Sequence, residues 1–364
     1  MSKIGIDARL YSQTGVGVYI RNLLHYLDKK NFGDIVVYIY LLKADYDKVV
    51  FHNRQFIKRK LSFRWHTLSE QLGFLATLYR DDLDLVHFTY FSYPIFYRKR
   101  FVATVHDMTP LLFKTGRAST KNPIIYELKF NAFRISLQEQ VKNASVLITP
   151  SKAVREQILE VFDRSLEKKI IPLYEGINYE LLETSENRLL EKEFPGKFFI
   201  YVGNFYPHKN VHNLLLAFAK LTTNMKLVLV GPKDFFSTKI MSLIRVNNLT
   251  EKVTLYTDPT VQDLIFFYKK ATALVNPSLS EGFGLPLVEA GYFKLPIIAS
   301  DIEVFREICK NNFMAFDPND TNDIAQKLDL FQHERRHLLL TEVEKRFSFE
   351  RMTNEVYNIY RTVI

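Results

Sequence analysis

The sequence contains almost no cysteine, the residue that forms disulfide bonds. Its 364 residues include one cysteine, Cys309, so an internal disulfide and a metal site made of clustered cysteines are both excluded. We interpret Cys309 as a small buried hydrophobe rather than a nucleophile. No stretch approaches about 18 uncharged apolar residues, and residues 3–10 enter a strand-like pattern without a charged and then apolar leader. We therefore expect a soluble, cytoplasmic protein.

The length and the apolar content predict two domains. A chain of 364 residues exceeds the size at which one core usually keeps growing, and 47% apolar residues can fill two cores. We place an N-terminal domain at 1–172, a linker up to 196, a C-terminal domain at 196–346 and a closing segment at 347–364.

Short apolar runs separated by helical patterns predict an α/β fold with a parallel sheet in each domain, because strands that are covered on both faces are continuously apolar. The predicted strands of the first sheet are 4–8, 36–42, 85–88, 101–105 and, closing the sheet, 146–149. Those of the second are 198–202, 226–230, 253–256, 273–276 and 295–299.

Positive charge is concentrated in the first half of the chain. Residues 1–169 contain 27 Lys and Arg against 16 Asp and Glu, a net charge of +11, whereas the rest carries −2. Basic and aromatic residues are interleaved in segments 51–65 and 90–101, which suits contact with an anionic membrane surface. A solvated basic face over core aromatics explains the same pattern. Nucleic acid is not expected, because no helix-turn-helix, RNA-binding or zinc pattern is present.

Two glycines follow the first predicted strand. Gly15 and Gly17 precede a helix predicted over about 18–27, and the unpaired N–H groups of such a helix start form an anion site. A plain tight turn is the alternative, since the dinucleotide fingerprint and the P-loop lysine are both incomplete here.

His106 and Asp107 come directly after the strand 101–105, at its carboxyl end. Ligands of open parallel sheets bind outside the carboxyl ends of strands. His106 is suited to bind a substrate hydroxyl or to transfer a proton, with Asp107 orienting it or capping the next turn. A hydrogen-bonded strand-end histidine beside a capping aspartate is the alternative.

Lys209 occupies a similar place in the second half. It ends the loop 203–210, between a strand and a helix predicted from about 211 to 221. A cation beside a helix N-terminus is unfavourable unless an anion joins it, which indicates a phosphate. The alternative is a solvated lysine.

Glu281 and Glu289 are separated by a loop and the start of a helix, in the sequence SEGFGLPLVE at 280–289. Gly284 lets the backbone approach a ligand, and Pro286 suits a first helical turn. Two carboxylates eight positions apart can bracket one ligand, although a helix with acidic residues near its start explains a lone pair of this kind.

Taken together, these motifs resemble the retaining GT-B glycosyltransferases of family 4, over essentially the whole chain. The resemblance implies two Rossmann-like domains facing a cleft, a nucleotide-sugar donor held by the C-terminal domain, an acceptor held by the N-terminal one, and a last helix at about 350–360 that returns to the first domain. It also implies that no cofactor and no metal are needed.

The same resemblance assigns roles by position. Glu289 would hold the donor ribose, Glu281 would contact the donor sugar, and Lys209 would neutralise the leaving diphosphate. His106 would bind the transferred sugar near the reacting carbon. The backbone N–H groups that would assist are those of Gly15, Gly17, Phe283, Gly284 and Leu285. We expect His106, Lys209 and Glu281 to be catalytic.

One position departs from the family pattern. Many members carry an arginine where this chain has Asn204, and asparagine cannot replace that charge. His208, just before Lys209, occupies the place of a basic residue in a subgroup that resembles bacterial polysaccharide mannosyltransferases. The same subgroup has the His-Asp-x-x-Pro form of residues 106–110, which favours a GDP-mannose-type donor.

The sequence therefore predicts a glycosyltransferase that moves a hexose onto a glycan or lipid-linked acceptor in surface polysaccharide synthesis, at the inner face of the cell membrane. A catalytically silent sugar-nucleotide or glycan-binding partner of another transferase, and an epimerase of the same architecture, remain alternatives.

Overall fold

The computed structural model describes residues 2–113, 123–333 and 339–364. The chain forms two compact units, one made of Met1–Glu175 with Ser348–Ile364 and the other of Gly176–Phe347. Residues 176–195, which the sequence analysis treats as linker, belong to the second unit, and the last segment belongs to the first.

The described part of the first unit is built on a parallel sheet of seven strands in the order β3-β2-β1-β4-β5-β6-β7. The strands are β1 (Lys3–Asp7), β2 (Val36–Leu42), β3 (Phe56–Leu61), β4 (Leu85–Phe88), β5 (Phe101–Thr104), β6 (Val146–Thr149) and β7 (Ile170–Pro172). Ile4 of β1 pairs with Val37 on one side and with Leu85 on the other. The order therefore reverses at β1, and the loops after β1 and β4 diverge there.

Two of these strands differ from the prediction. β3 was not predicted, because Lys58, Arg59 and Lys60 interrupt its apolar pattern; charged side chains are common on edge strands. Lys58 Nζ donates to the carbonyls of Tyr46 and Val49. The prediction that 146–149 closes the sheet was wrong, since β7 pairs with β6 beyond it.

Helices connect the strands of the first unit. They are α1 (Val16–Asp28), α2 (Lys43–Tyr46), α3 (Leu75–Asp81), α4 (Thr109–Leu112), α5 (Pro123–Asn143), α6 (Lys152–Val161) and the C-terminal α15 (Phe349–Val363), with a π-helical turn at Glu70–Phe74 and a 3₁₀ turn at Arg164–Lys169. Ser151 caps α6 by accepting a hydrogen bond from Val154 N. α15 packs against α1 with an apolar stripe at helical spacing: Phe349, Met352, Thr353, Val356 and Tyr360.

The second unit repeats the plan with a parallel sheet in the order β10-β9-β8-β11-β12-β13. Its strands are β8 (Phe198–Val202), β9 (Lys226–Gly231), β10 (Val253–Thr257), β11 (Ala273–Asn276), β12 (Ile297–Ser300) and the unpredicted β13 (Met314–Phe316). Its helices are α7 (Tyr179–Glu183), α8 (Val211–Ala219), α9 (Phe235–Val246), α10 (Val261–Lys270), α11 (Leu285–Tyr292), α12 (Glu303–Cys309), α13 (Thr321–His333) and α14 (Val343–Arg346), with 3₁₀ turns at Arg188–Glu191 and Pro207–Lys209. The five strands predicted for this sheet are present, and its order reverses at β8.

Cys309 is a core residue. It is fully buried at the end of α12, and burial raises the pKa of its thiol to about 12. The prediction of a small buried hydrophobe is confirmed.

The aromatics of segment 90–101 are largely core residues as well. Phe91, Tyr93, Tyr97 and Phe101 are buried in one cluster with Phe88. Their rings cannot contact a membrane surface. Phe96, by contrast, is 60% exposed.

A buried ionic cluster joins the end of β1 to the turn at Glu70–Phe74. Arg9 Nη2 lies 2.6 Å from Asp7 Oδ2 and 2.6 Å from Glu70 Oε1. The guanidinium sits over the ring of Phe74, 4.2 Å from its centroid. Ser92 Oγ donates to Glu70 as well. Burial alone would lower the pKa of Arg9, but the two carboxylates raise it above its usual value, so the cation is held between them.

Replacing Arg9 by methionine should destabilise the first unit by roughly 3–5 kcal/mol, because Asp7 and Glu70 would stay buried without their counter-charge. Trp65 is the only tryptophan and lies in this unit, so urea unfolding followed by tryptophan fluorescence reports on it. Arg164→Met, which removes an exposed pair with Glu156 in the same unit, is the matched control and should change little. An unchanged midpoint for Arg9→Met would show that the cluster does not stabilise the unit.

Candidate active site

The predicted site residues divide between the two units. Gly15, Gly17 and His106 lie in the first unit, and the other eight lie in the second: Asn204, His208, Lys209, Glu281, Phe283, Gly284, Leu285 and Glu289.

The two glycines at the start of α1 are required for different reasons. Gly15 is the N-cap, with φ of 62° and nothing within 4 Å of the place where a Cβ would be, so its conformation and not crowding demands glycine. A Cβ on Gly17 would lie 2.8 Å from the carbonyl oxygen of Tyr11. Gly15 offers no side-chain oxygen to the first turn, which leaves the N–H groups of that turn to a ligand or to water.

His106 is held by contacts on three sides. Its Nε2 lies 2.9 Å from the carbonyl oxygen of Thr89, and because a carbonyl only accepts, Nε2 carries a proton. Its Nδ1 lies 3.5 Å from Glu175 Oε1. The ring of Tyr19 meets it edge-on, with 4.8 Å between centroids. Asp107 does not orient the histidine: its Oδ1 accepts from Thr109 N at 2.8 Å and caps the following turn.

A buried polar chain lies next to His106. His87 Nδ1 is 2.5 Å from the hydroxyl of Tyr360, and His87 Nε2 is 2.8 Å from Thr104 Oγ1. Thr104 Oγ1 is in turn 3.1 Å from the hydroxyl of Tyr19. Burial lowers the pKa of His87 to about 3, and nearby His106 adds to the effect, so His87 stays neutral. The chain connects α15 to the ring that touches His106.

In the second unit, Lys209 and Glu281 form an ion pair. Lys209 ends the 3₁₀ turn after β8, and its Nζ lies 2.7 Å from both carboxylate oxygens of Glu281. Ser278 Oγ is 2.8 Å from Glu281 Oε1. The two side chains are 17% and 12% exposed. The anion that Lys209 requires beside a helix is therefore present in the protein itself, so the charge argument alone does not indicate a phosphate.

The segment between the two glutamates begins a helix as predicted. Gly284 is the N-cap of α11 with φ of 93°, and Pro286 lies in the first turn. A Cβ on Gly284 would be 2.9 Å from the ring of Phe305. The side chain of Phe283 is buried against Phe347, with 5.7 Å between ring centroids. Only backbone groups of Phe283 are therefore placed to reach a ligand.

Glu289 lies in the second turn of α11, where it is 8% exposed. Its Oε2 accepts a hydrogen bond of 2.6 Å from the hydroxyl of Tyr268, a residue of α10. Burial raises the pKa of Glu289 to about 7, although the hydrogen bond from Tyr268 acts in the opposite direction. Sequence reasoning did not identify Tyr268, because a tyrosine within an apolar helix pattern indicates core packing.

Asn204 and His208 lie on the loop that carries Lys209. Asn204 Oδ1 is 3.5 Å from Tyr206 N, so the amide is turned back toward its own loop. The backbone carbonyl of His208 accepts from Leu279 N at 2.8 Å, which joins this loop to the one after β11. That His208 supplies the positive charge missing at Asn204 stays a prediction.

Comparison with known families identifies the chain. A family model described as Glycosyltransferase Family 4 matches residues 13–181, and one described as Glycosyl transferases group 1 matches residues 185–348. Together the two matches span both units. The chain belongs to the family 4 glycosyltransferases.

Two relatives of this family 4 glycosyltransferase are named as O-antigen chain mannosyltransferases. An O-antigen chain mannosyltransferase of Salmonella typhimurium is 30% identical over 229 residues, which cover 62% of this chain and 63% of the relative. An O-antigen chain mannosyltransferase of Escherichia coli is 26% identical over 278 residues, which cover 72% of this chain and 70% of the relative. The first match thus spans less than two thirds of the relative.

A solved structure shows the same fold. An Anabaena protein, HepE, crystallised with UDP and glucose, superposes with a TM-score of 0.76 at 15% identity over 100% of both chains. At this identity the likeness supports the fold alone. Two Rossmann-like units with a C-terminal helix returning to the first are the GT-B arrangement that the sequence predicts.

In the described ranges, each helix is too short or too polar to cross a bilayer. Within those same ranges, no group of three or more His, Cys, Asp or Glu side chains is placed to hold a metal ion. That this glycosyltransferase works without a metal or a cofactor stays a prediction.

Replacing Glu289 by glutamine should make the protein less sensitive to pH. The pKa of Glu289 rises from 4.5 to about 7 on folding, so between these pH values the folded chain binds more protons than the unfolded one. The contribution of Glu289 to the free energy of unfolding therefore falls as the pH rises, by about 1.4 kcal/mol per pH unit.

Urea unfolding at pH 5 and pH 8, followed by circular dichroism, tests this. Glu289→Gln should gain stability relative to the wild type as the pH rises, whereas the exposed Glu303→Gln should follow the wild type. A constant difference between wild type and Glu289→Gln would mean that Glu289 is already ionised at pH 5.

Proposed function

We propose that this chain is a retaining, metal-independent glycosyltransferase that moves a hexose from a nucleotide diphosphate sugar to a glycan or lipid-linked acceptor in surface polysaccharide synthesis. The favoured donor is GDP-mannose. The observation that carries the proposal is the Lys209–Glu281 pair, which places a cation and a carboxylate at the carboxyl ends of β8 and β11, beside the start of α11.

The electrostatics of this place suit the departure of a nucleotide diphosphate. Negative charge builds on the diphosphate as the glycosidic bond breaks, and donors fixed in advance lower the barrier most. Lys209 supplies the cation, and the first-turn N–H groups of α11 supply backbone donors. When a donor binds, its diphosphate replaces Glu281 as the ion-pair partner of Lys209. The carboxylate of Glu281 can then accept hydrogen bonds from hydroxyls of the sugar.

The other residues take complementary roles. Two vicinal ribose hydroxyls donate to Glu289, which Tyr268 holds in place from the neighbouring helix. In the first unit, His106 binds the transferred sugar near the reacting carbon. Retention of the anomeric configuration is proposed from family membership.

A panel of donors tests this function. Thermal shift with GDP, UDP, ADP and their sugars identifies the donor, because a ligand that binds only the folded state raises its stability. Transfer to a polysaccharide-lipid acceptor is then measured with the best donor, with and without EDTA, and the anomer of the product is assigned by NMR.

Each outcome separates the candidates. An α-linked product from an α-linked donor at an EDTA-independent rate supports the proposal, whereas inversion of the anomer or loss of activity in EDTA contradicts it. Donor binding without transfer or hydrolysis indicates a silent partner of another transferase. A donor converted to its epimer indicates an epimerase.

Replacing Lys209 by alanine should lower the transfer rate by about 100-fold to 1000-fold, the effect of removing one preorganised donor from a developing anion. Lys220→Ala is the matched control, since Lys220 contacts Thr321 and Asn322 in the same unit. Melting temperatures confirm that both variants fold. Transfer at the wild-type rate by folded Lys209→Ala would show that Lys209 does not act on the diphosphate.

An anionic membrane surface is the proposed location of the acceptor. Leu68, Leu72 and Phe96 are 84%, 72% and 60% exposed and form what we term the apolar patch. Gln71 connects its two segments, donating to the carbonyl of Tyr93 and accepting from Ile95 N. Arg64 and Arg98 are exposed beside them in the chain. Apolar side chains flanked by arginines suit the headgroup layer of an anionic bilayer.

Introducing aspartate at all three positions of the apolar patch should reduce sedimentation with phosphatidylglycerol-containing vesicles by more than about tenfold, because three large apolar side chains no longer enter the bilayer surface. Val246→Asp, which alters a residue 78% exposed in the second unit, serves as control. Equal sedimentation of the triple variant and the wild type would exclude this patch as the contact.

A further inference from the structure

Glu175 is a buried acid that the proposed chemistry does not use. It is 4% exposed and ends the N-terminal segment of the first unit. A buried carboxylate without a partner is costly, and in practice such groups are paired or hydrogen-bonded. The basic group that the structure places beside it is the imidazole of His106, with 3.5 Å between Oε1 and Nδ1.

The contact at Nε2 determines which ring nitrogen of His106 is left for other partners. Nε2 donates its proton to the carbonyl oxygen of Thr89, so Nε2 is not available to a substrate. Nδ1 is the ring nitrogen that remains, and it faces the carboxylate of Glu175.

The groups around the pair do not replace Glu175 in this role. Tyr19 meets the imidazole through its ring edge, while its hydroxyl is engaged with Thr104. His87 is kept neutral by its burial. Asp107 accepts a hydrogen bond from the backbone N–H of Thr109. Among these neighbours, Glu175 is the one whose carboxylate the structure places 3.5 Å from a ring nitrogen of His106.

We propose that Glu175 is a positioning residue, which fixes the orientation of the His106 imidazole from its Nδ1 side and so holds the ring against the transferred sugar. This inference rests on the proposed function, in which His106 contacts that sugar.

Steady-state kinetics of Glu175→Gln test the proposal. The glutamine side chain keeps the size of Glu175 but carries no negative charge and no acidic proton. We expect kcat to fall on the order of 100-fold, the effect of misplacing a group by a small distance. KM for the donor should change little, since the proposed nucleotide contacts belong to other residues. Glu175→Asp should restore part of kcat, and Glu167→Gln, which removes an exposed acid paired with Arg155, should match the wild type.

A double-mutant cycle with His106→Ala separates positioning from a general structural effect. If Glu175 acts through His106, adding Glu175→Gln to the His106→Ala variant causes no further loss of kcat. A further loss of the same size in that background would overturn the proposal, as would a wild-type kcat for folded Glu175→Gln. Absence of transfer by the wild-type protein with every donor is a different result, because it contradicts the proposed function itself.

Discussion

The reversal of strand order within each sheet is the constraint on which the proposed site depends. Where the order turns at β1 and at β8, the connections on the two sides run to opposite faces, and the loops at the carboxyl ends separate. The glycine loop and His106 follow strands on either side of the first reversal. Lys209 and Glu281 follow the strands on either side of the second. Each unit thus brings residues distant in sequence to one edge of its sheet without a long structureless loop.

The sequence was informative where function imposes a local pattern. Gly284 and Pro286 mark the start of α11, and His106 stands directly after an apolar strand. The sequence alone therefore predicts where this helix begins and where His106 lies. β3 escaped prediction because its lysines and arginine make contacts with α2 and Asp81 that no periodicity describes. β7 lies in a strand-like run at 169–173 that was not assigned to the first sheet, because no local pattern shows which strand it pairs with. In both cases pairing with a neighbouring strand, which is a long-range interaction, decides the structure.

The polar partners of the site residues were harder to foresee. Glu281 was expected to face a sugar and Lys209 a phosphate, yet in this structure they neutralise one another across 72 residues of sequence. Tyr268 and Glu175 carry no motif, and their importance follows from what they touch. A buried charge or hydroxyl requires a partner, but the identity of that partner is set by tertiary packing. Burial of Arg9 between two carboxylates is a further example, since nothing in its sequence neighbourhood distinguishes it from a surface arginine.

The position of the C-terminal helix in the first unit affects the order in which the two units complete their folding during synthesis. Tyr360 shares a hydrogen bond with His87, a fully buried histidine of β4, yet the two residues lie 273 positions apart in the chain. At typical elongation rates, roughly 10–30 s of synthesis separate the end of Glu175 from the appearance of Ser348. The second unit is continuous in the chain and is completed at the end of that interval. Most of the first unit leaves the ribosome earlier, but its core is completed last, when α15 has been synthesised. Until then one face of α1 and the imidazole of His87 lack their contacts with α15.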